Sequence, residues 1–491
     1  MLTIPSLEAL RSLGSYLSDC GYTAKNFIDQ LDVRETVRAG LEELEPLLER
    51  TSGDSPLHLL ARLFFVGWRA DAALCSRVLD SGALSTALAC GLLRQSGSDL
   101  EPLALLVPFK DLTVACDGVA LHRGPDIVMG PSSSTRTLLY STVPGNFETT
   151  LDLCTGSGAL ALNAAANSAH VVGTDINSRA LQFARFSAAL NRIDNSEFLC
   201  GDTFEPVEGR TFSRIIANPP FFMTPVKTFT FSDSPLQLDG FVRKLALEVP
   251  MALADGGFFQ MTCEWVQIEG EPWGERMQGW TQASGCDVLV LQGSPMTPVA
   301  YAEKRSRQMK AIDPNPQDGS FSHRLDSLRA SRVEAVFGGI VTMRKRRGPN
   351  WFASIPAPET SDSVGPAIRE KFDALTVLAS YSEQDLLDAS LRFTPGAELV
   401  QRTTLGAAGW NTTGAVVKEA GFKDQVQLDS VVFQFITLFD GQHSTNEITD
   451  IVASRLEIPR EEAQQRCLHL ARRLLQGSFV LPKSAELTPG R

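Results

Sequence analysis

The amino-acid sequence predicts an α/β protein whose mostly parallel sheet carries helices on both faces, with a helical domain before it and a smaller α(+β) domain after it. Three observations lead to this prediction. From residue 149 onward, short apolar runs typical of strands alternate with segments of helical periodicity, and such alternation indicates βαβ units. Before residue 98, apolar residues recur every three or four positions. After residue 366, two helical segments precede a short apolar run.

The composition is that of a globular protein with several domains. The chain has 491 residues, of which 43% are hydrophobic and 21% charged. At roughly 100 to 200 residues per domain, this length predicts about two to four domains. The 45 Lys and Arg residues against 57 Asp and Glu residues give a formal charge of −12. Negative charge repels phosphate, so a nucleic-acid partner would require a local basic patch.

Cysteine, histidine and hydropathy patterns point to a cytoplasmic protein without a metal. The nine cysteines form no C-x-x-C pair, and the six histidines show no ligand spacing, so we expect reduced thiols and no structural metal site. The sequence begins without a basic segment followed by an apolar one and contains no apolar run of about 18 residues. We therefore expect a soluble, cytoplasmic protein with no membrane-spanning segment.

The chain before the sheet divides into two parts. Residues 1–98 are predicted to form a helical domain because apolar residues recur at helical spacing from Leu57 to Phe65 and again farther on. Residues 99–147 are predicted to form a short β segment and a loop leading into the sheet. Within them, Asp117-Gly118 is typical of a hairpin turn.

Residues 148–346 carry the predicted sheet, and a polar linker is expected over 347–366. Strands are predicted at 151–154, 171–174, 198–200, 215–217 and 333–343, with a helix over 179–190. The remaining segment, 367–491, is predicted to be a separate domain. Ser444 to Glu447 forms a capping box that opens one helix, and a second helix ends near Gly477 before a short strand. This order is compatible with a winged-helix-like module.

A Gly-rich turn follows the first predicted strand of the sheet. It reads Asp152-Leu153-Cys154-Thr155-Gly156-Ser157-Gly158, and glycines at such a turn let backbone N–H groups approach a nucleotide-like ligand. Because Ala161 follows, the run also satisfies the G-x-G-x-x-A pattern of dinucleotide-binding proteins. The alternative is a tight strand-to-helix turn that binds nothing.

Two further strands end in carboxylates. Asp175 ends the second strand, where we expect it to accept hydrogen bonds from both hydroxyls of a ribose because the strand follows the Gly-rich turn. The alternative is a negative charge at a helix N-terminus. Asp202 ends the third strand, where it can accept from the exocyclic amine of an adenine. Since the carboxyl ends of parallel strands line one crevice, the two carboxylates are expected to contact one ligand.

The tetrapeptide Asn218-Pro219-Pro220-Phe221 follows the next strand. The two prolines end the strand and have no N–H, so neighbouring carbonyl oxygens are free to face a ligand. Asn218 adds a side-chain acceptor, and Phe221 offers a flat apolar face. Together these groups suit a planar NH2 group, while the alternative is a structural loop.

In this order the four motifs resemble the S-adenosylmethionine-dependent methyltransferases whose catalytic loop reads N-P-P-[FY]. The stretch from Arg179 to Asn191, followed by Phe204 to Val207, is especially similar to the branch that contains the HemK-type glutamine methyltransferases and the "small domain" ribosomal-RNA guanine methyltransferases. The resemblance covers about 100–345. It implies a Rossmann-like methyltransferase sheet, S-adenosylmethionine as the methyl donor and a nitrogen acceptor.

The resemblance also implies a role for each motif residue. The implied cofactor-binding residues are Asp152, Cys154, Thr155, Gly156, Gly158, Asp175, Ile176, Asp202, Thr203 and Asn218, and the implied catalytic residues are Asn218, Pro219, Pro220 and Phe221. Asn218 and the Pro219 carbonyl would bind the acceptor NH2, with Phe221 packed on its plane. Two departures stand out: Cys154 replaces a usual glycine, and Ser213-Arg214 replaces a common Phe-Asp.

Several alternatives stay open at this level. A nicotinamide-dependent oxidoreductase leaves Asp202 and the Asn-Pro-Pro-Phe loop unexplained. A non-catalytic binding protein is the other alternative, and the intact set of cofactor motifs argues against it. The acceptor is expected to be a protein or peptide, with RNA or DNA as the alternative, because the basic runs Lys304 to Arg307 and Arg344 to Arg347 are more typical of solvated turns than of phosphate sites. Trp265, Trp273 and Trp280 are candidates either for a substrate wall or for the core.

Overall fold

The chain folds into two compact units, each assembled from separate segments. A computed structural model describes residues 2–33, 44–118, 121–122, 124–312, 320–358, 363–406, 409–429 and 431–483. The first unit comprises Met1–Leu139, Phe147–Thr281 and Gln292–Thr342, and the second comprises Tyr140–Asn146, Gln282–Leu291 and Met343–Arg491. In the described part of the chain, no helix combines the length and the apolar character needed to cross a bilayer.

The N-terminal part of the first unit contains helices and short antiparallel strands. Its elements are α1 (Leu7–Asp19), α2 (Ala24–Leu31), α3 (Leu44–Arg50), α4 (Pro56–Leu60), a π-helical turn (Ala61–Val66), β1 (Ala70–Asp71), α5 (Ala72–Val78), α6 (Ser81–Ala89), β2 (Leu93–Ser96) and β3 (Asp99–Pro102). The three strands pair in the order β1-β3-β2. This small sheet was not predicted, because its strands are too short to show an alternating pattern.

A hairpin follows, but its turn is not the predicted one. Strands β4 (Leu105–Phe109) and β5 (Leu112–Cys116) pair around Lys110, whose φ is +53°. The predicted turn at Asp117-Gly118 is therefore wrong. Asp117 is 3% exposed, and its carboxylate accepts a hydrogen bond from Arg179 Nη2 at 2.6 Å. The Asp of this dipeptide is thus used for a buried ion pair rather than for a turn.

Helices and strands then alternate along the chain. The elements are α7 (Ser133–Ser141), β6 (Phe147–Leu153), α8 (Ala159–Ala165), β7 (Ser168–Asp175), α9 (Ser178–Leu190), β8 (Ser196–Cys200), a 3-10 turn (Glu205–Val207), β9 (Phe212–Ala217), α10 (Gly240–Ala252), β10 (Leu253–Ile268), α11 (Trp273–Thr281), β11 (Cys286–Gln292), α12 (Pro298–Ile312), α13 (Phe321–Ala330) and β12 (Val333–Lys345). The alternation predicted from residue 149 onward is confirmed.

Within the first unit the strands run in the order β12-β10-β9-β6-β7-β8, and the pairs β10·β9, β9·β6, β6·β7 and β7·β8 are parallel. The consecutive residues Ile215, Ile216 and Ala217 of β9 are all at most 2% exposed. Since neighbouring side chains on a strand point to opposite faces, both faces of the sheet are covered here. The result is a mostly parallel sheet that is covered on both faces, as predicted.

The C-terminal part of the second unit has regular secondary structure within the range that was predicted to be a linker. Its further elements are β13 (Phe352–Pro356), α14 (Gly365–Ser380), α15 (Glu383–Asp388), β14 (Leu391–Phe393), β15 (Ala397–Gly406), β16 (Gly409–Lys418), β17 (Asp424–Leu428), two 3-10 turns (Val432–Gln434 and Ile436–Leu438), α16 (Thr445–Leu456), α17 (Arg460–Gln476) and β18 (Val480–Pro482). The prediction that 347–366 is a linker is wrong, because β13 lies inside this range and pairs with β11. Glycine and proline around this short strand gave the segment the composition of a linker.

Two predicted features of the second unit can be compared residue by residue. The capping box is confirmed, since Ser444 Oγ accepts from the Glu447 N–H and the Glu447 side chain accepts from the Ser444 N–H. Gly477, in contrast, is not in the left-handed conformation: its φ is −79°, whereas the φ of Ser478 is +60°. A Cβ on Gly477 would lie 2.5 Å from the Phe479 ring, so packing rather than backbone freedom requires this glycine.

Candidate active site

The carboxyl ends of four neighbouring strands, β6, β7, β8 and β9, bring the sequence motifs to one edge of the sheet. A cavity of about 640 Å³ lies there, within the roughly 300 to 1,000 Å³ typical of small-molecule sites. Of the predicted site residues, eleven line it: Cys154, Thr155, Gly156, Asp175, Ile176, Asp202, Thr203, Asn218, Pro219, Pro220 and Phe221. Asp152 and Gly158 do not.

The two glycines of the turn have different tasks. Gly156 has a φ of +55°, and a Cβ added to it would meet nothing within 4 Å, so this glycine leaves the cavity side open. Its N–H donates to Asp175 Oδ2 at 2.8 Å. Gly158 has a φ of +84°, and its Cβ would lie 2.9 Å from the Cβ of Ala184 on α9. Gly158 therefore permits the close packing of the turn on α9 rather than contact with a ligand.

Asp152 supports the turn from beneath. Its side chain is fully buried, and its Oδ2 accepts from Thr155 Oγ1 at 2.6 Å and from the Ala161 N–H at 3.0 Å. Burial raises the pKa of this carboxyl to about 7. The structure thus places Asp152 as a brace between the turn and the first turn of α8, and not in the cavity wall where a cofactor-binding role was predicted.

Asp175 is hydrogen-bonded both to the Gly-rich turn and to the segment just before α9. Its Oδ1 accepts from the Asn177 N–H at 2.8 Å, just before α9, while its Oδ2 holds Gly156. Each carboxylate oxygen keeps a second lone pair, and Asp175 lines the cavity. Beside it, Ile176 exposes 62% of its surface, an apolar face that suits a planar base.

Asp202 has a partner that the sequence did not predict. Lys244 on α10 lies in the cavity wall with its Nζ 3.3 Å from Asp202 Oδ2 and 3.4 Å from Thr203 Oγ1. A single lysine some 40 positions downstream gives no spacing signal that could have revealed it. The polar corner predicted for an adenine amine therefore contains a cation as well as a carboxylate.

Cys154 is the departure from the family pattern that has the clearest structural consequence. Its φ is +57°, in the left-handed region that favours glycine. Burial, together with the nearby carboxylates of Asp175 and Asp152, holds the pKa of its thiol well above the ordinary value. The thiol is therefore protonated and a poor nucleophile, so Cys154 acts as a wall residue.

Asn218 contacts a residue that was not predicted from the sequence. Its Nδ2 donates to Thr135 Oγ1 at 3.3 Å, which leaves Oδ1 as the acceptor of the side-chain amide. Thr135 lies at the start of α7, and Ser132 Oγ lies 3.1 Å from its hydroxyl. The run of small hydroxylated residues Ser132 to Thr135 at the start of α7 is the sequence signal that points to this contact.

A loop after Phe221 forms the far wall of the cavity. The N–H groups of Thr228 and Phe229 donate to Asp233 Oδ2 at 2.7 and 2.9 Å. The Phe222 N–H donates to the Ser232 carbonyl at 2.8 Å, which closes the loop on itself. Phe229 and Phe231 also line the cavity, together with polar residues of the same loop such as Lys227 and Thr228.

Arginines of the two basic runs form ion pairs and do not line the cavity. Arg305 is 3% exposed and pairs with Glu264, while Arg307 pairs with Glu303. In the second unit, Arg344 and Arg346 both pair with Asp287.

None of the three tryptophans, Trp265, Trp273 and Trp280, is in the wall of the cavity. Trp265 is 1% exposed and stacks on Phe337 with ring centroids 6.2 Å apart. Among the described residues, no cluster of three His, Cys, Asp or Glu side chains could hold a metal ion.

Comparisons with known proteins give relatives for the catalytic segment. Residues 132–232 match the family model described as methyltransferase small domain, and residues 19–103 match a domain of unknown function, DUF7059. Release factor glutamine methyltransferases from Thermodesulfovibrio yellowstonii and Aliivibrio fischeri are 43% and 32% identical over 76 and 127 residues, covering 15% and 25% of this chain and 27% and 43% of theirs. A ribosomal protein uL3 glutamine methyltransferase from Xanthomonas campestris is 40% identical over 73 residues, 14% of this chain and 24% of its own.

Each of these three relatives is covered over less than half of its own length. The matched segment nevertheless contains the Gly-rich turn, both strand-end carboxylates and the Asn-Pro-Pro-Phe loop. The parallel sheet brings all of them to one cavity. The chain therefore contains a class I S-adenosylmethionine-dependent methyltransferase domain of the methyltransferase small-domain, HemK-like branch.

Proposed function

We propose that the chain transfers a methyl group from S-adenosylmethionine to a planar NH2 nitrogen, and that the acceptor is a glutamine-type side-chain amide of a protein or peptide. The observation that carries the proposal is the orientation of Asn218. With Nδ2 bound to Thr135 Oγ1, the amide oxygen is the group offered to an N–H donor. A carbonyl acceptor at this place fits an NH2 group and would repel a second carbonyl.

The cavity residues fit an adenosine-bearing donor. The carboxylate of Asp175 has lone pairs left for ribose hydroxyls, and the exposed Ile176 offers an apolar face for the base. The side of Gly156 that a Cβ would occupy is open, so a ligand can approach the backbone there. When bound, S-adenosylmethionine supplies an electrophilic methyl group on a positively charged sulfur.

The protein's own contribution is orientation. An amide nitrogen is a weak nucleophile because its lone pair is delocalised into the carbonyl group. Asn218 Oδ1 and the Pro219 carbonyl would accept from its two N–H groups and so fix the direction of that lone pair. Effective molarities of about 10⁵ to 10⁸ M for well-aligned groups make positioning the main source of acceleration. The same two oxygens would stabilise the positive charge that develops on nitrogen.

Charge supports a protein acceptor over a nucleic acid. The formal charge of the chain is −12, and counterion release requires free cations that face phosphate. In both basic runs, arginines already form ion pairs with carboxylates, namely Arg305, Arg307, Arg344 and Arg346. The three relatives described above are named for glutamine methylation of release factors and of a ribosomal protein. Both observations favour a peptide amide.

The parts of the chain outside the methyltransferase domain would select the acceptor. The matched segment 132–232 contains the chemistry, whereas α14 to α17 and the strands β14 to β18 add a folded body that methyl transfer itself does not require. We propose that this body, with its winged-helix-like succession of two helices and a short strand, binds the protein that carries the methylated glutamine.

Replacing Asn218 by Ala tests the proposal. We expect Asn218→Ala to bind S-adenosylhomocysteine in calorimetry as the wild type does and to transfer labelled methyl to a protein extract at least about 100-fold more slowly, because orientation is lost. The matched control is Asn163→Ala on α8, whose amide bonds its own helix at Ala159. Wild-type transfer by Asn218→Ala would contradict the assignment, and binding of NADH in place of S-adenosylhomocysteine would point to an oxidoreductase.

A further inference from the structure

Three buried polar side chains lie behind the Asn-Pro-Pro-Phe loop, outside the cavity. Glu264 belongs to β10, and Tyr301 and Arg305 lie one turn apart on α12. They are 5%, 1% and 3% exposed, respectively. Arg305 belongs to the basic run that the proposed reaction leaves unused. None of the three is in the cavity wall.

Tyr301 binds the backbone directly after the catalytic loop. Its Oη lies 3.0 Å from the Met223 nitrogen and 2.8 Å from Glu264 Oε2. A phenol has one proton to donate, and the carboxylate can only accept it. The proton therefore points to Glu264, and the Met223 N–H donates to the phenol oxygen. This fixes the backbone two residues after Phe221.

Arg305 acts on the side chains of the same segment. Its guanidinium pairs with Glu264 and lies over the Phe222 ring, with Cζ 3.3 Å from the ring centroid. The Phe222 ring in turn meets the Phe221 ring edge to face, with centroids 5.2 Å apart and planes at 71°. A chain of contacts therefore runs from Arg305 through Phe222 to the aromatic face predicted to pack on the acceptor.

We propose that Tyr301, Glu264 and Arg305 are positioning residues that hold Phe221 to Met223 in the geometry required for methyl transfer. The inference rests on the proposed function, because only methyl transfer at this loop would require such a geometry. A buried ion pair is seldom a net source of stability, since hydrophobic replacements are often neutral or stabilising. In this protein, the buried Arg305–Glu264 pair and Tyr301 would serve to place the Met223 N–H and the Phe222 ring. A displacement of about 1 Å in such a site can cost about 100-fold in rate.

The test compares conservative variants with a control from the same basic run. Tyr301→Phe removes the acceptor of the Met223 N–H but keeps the ring, and Arg305→Lys keeps the charge but loses the planar group over Phe222. Arg307→Lys is the control, because Arg307 is exposed and, within the part of the chain that the structure describes, pairs with Glu303 on its own helix. The full-length proteins are compared by calorimetry with S-adenosylhomocysteine, by deuterium exchange over 219–226, and by transfer of labelled methyl to a protein extract.

We expect Tyr301→Phe and Arg305→Lys to bind S-adenosylhomocysteine within about twofold of wild type, to exchange amide hydrogens over 219–226 faster, and to transfer methyl at least about tenfold more slowly. Arg307→Lys should match wild type in all three. Unchanged exchange or unchanged transfer in the two test variants would overturn the proposal, as would an equal loss of S-adenosylhomocysteine affinity, which indicates general disruption. If wild type transfers no methyl to protein, the proposed function fails, while the exchange data still decide whether these residues hold the loop.

Discussion

At the scale of single residues, the site depends on a few side chains whose partners restrict them to one role. Thr135 Oγ1 accepts a hydrogen bond from the amide nitrogen of Asn218, so the amide oxygen is left for the cavity. Lys244 and Asp202 form one polar corner, and Asp152 braces the Gly-rich turn from below. The proposed chemistry depends on these contacts. If the Asn218 amide were turned around, it would present its NH2 group instead of its oxygen to the NH2 group that is to be methylated.

Asp152 gives a pH-dependent prediction. Burial raises its pKa to about 7, above the roughly 3.9 of an unfolded aspartate. The folded chain therefore retains a proton that the unfolded chain releases, so the stability linked to this group is fully present below about pH 4 and is lost as the pH rises through 7. Asp152→Asn carries no such charge. We expect the melting temperature of the variant, relative to wild type, to rise from pH 4 to about pH 7 and to level off above it.

Thermal unfolding at four pH values in this range measures the effect, which corresponds to a relative free energy on the order of 4 kcal/mol over the full range. The control is Asp111→Asn, an exposed residue in the turn between β4 and β5. A difference between Asp152→Asn and wild type that did not change with pH would show that Asp152 is ionised in the folded chain at all of these values.

At the scale of elements, the strands of the parallel sheet were predictable because each is a short apolar run that ends at a motif. The predicted strand at 171–174 is β7, and that at 215–217 is β9. Element ends that depend on tertiary contacts were not predictable. Asp117-Gly118 has turn composition, but its Asp binds Arg179, 62 residues away. The position of Lys244 beside Asp202 likewise depends on the folded sheet.

The capping box of α16 gives a prediction at this scale. Ser444→Ala removes the acceptor of the Glu447 N–H, and losing an N-cap hydroxyl costs about 1 kcal/mol. We expect amide exchange in the first turn of α16 to become about fivefold faster, which mass spectrometry of deuterated peptides over 445–456 measures. Ser444→Thr, which keeps a hydroxyl, should remain close to wild type. Equal exchange in Ser444→Ala and wild type would mean that other contacts hold this end of the helix.

At the scale of the whole molecule, the division into units differs from the division expected from sequence. A linker at 347–366 and a separate domain over 367–491 were predicted, but the second unit also includes Tyr140–Asn146 and Gln282–Leu291. Contacts inside this unit cross the predicted boundary: Arg344 Nη1 donates to Asp373 at 2.8 Å, and Trp351 meets Phe372 with ring centroids 4.9 Å apart. Sequence composition could not reveal this, because each segment is short.

A truncation tests the consequence. Ending the chain at residue 366 removes Phe372 and Asp373, so it leaves Arg344 without this carboxylate and uncovers Trp351. We expect the truncated chain to aggregate in size-exclusion chromatography and to melt at a lower temperature than the full chain, because the Trp351 ring loses its apolar cover and Arg344 loses one carboxylate partner, Asp373, while it keeps another, Asp287. A chain ending at residue 483 is the control. A monodisperse truncated chain that binds S-adenosylhomocysteine normally would show that 367–491 is an independent appendage.

The most direct test of the central claim is to identify the methylated atom. Wild-type protein is incubated with labelled S-adenosylmethionine and with separate protein, RNA and DNA fractions of a cell extract, and the labelled fraction is analysed by mass spectrometry. The account predicts that label enters the protein fraction and that one methyl group lies on a glutamine side-chain nitrogen. Label confined to a nucleobase amine, or to an oxygen or carbon atom of any acceptor, would contradict it.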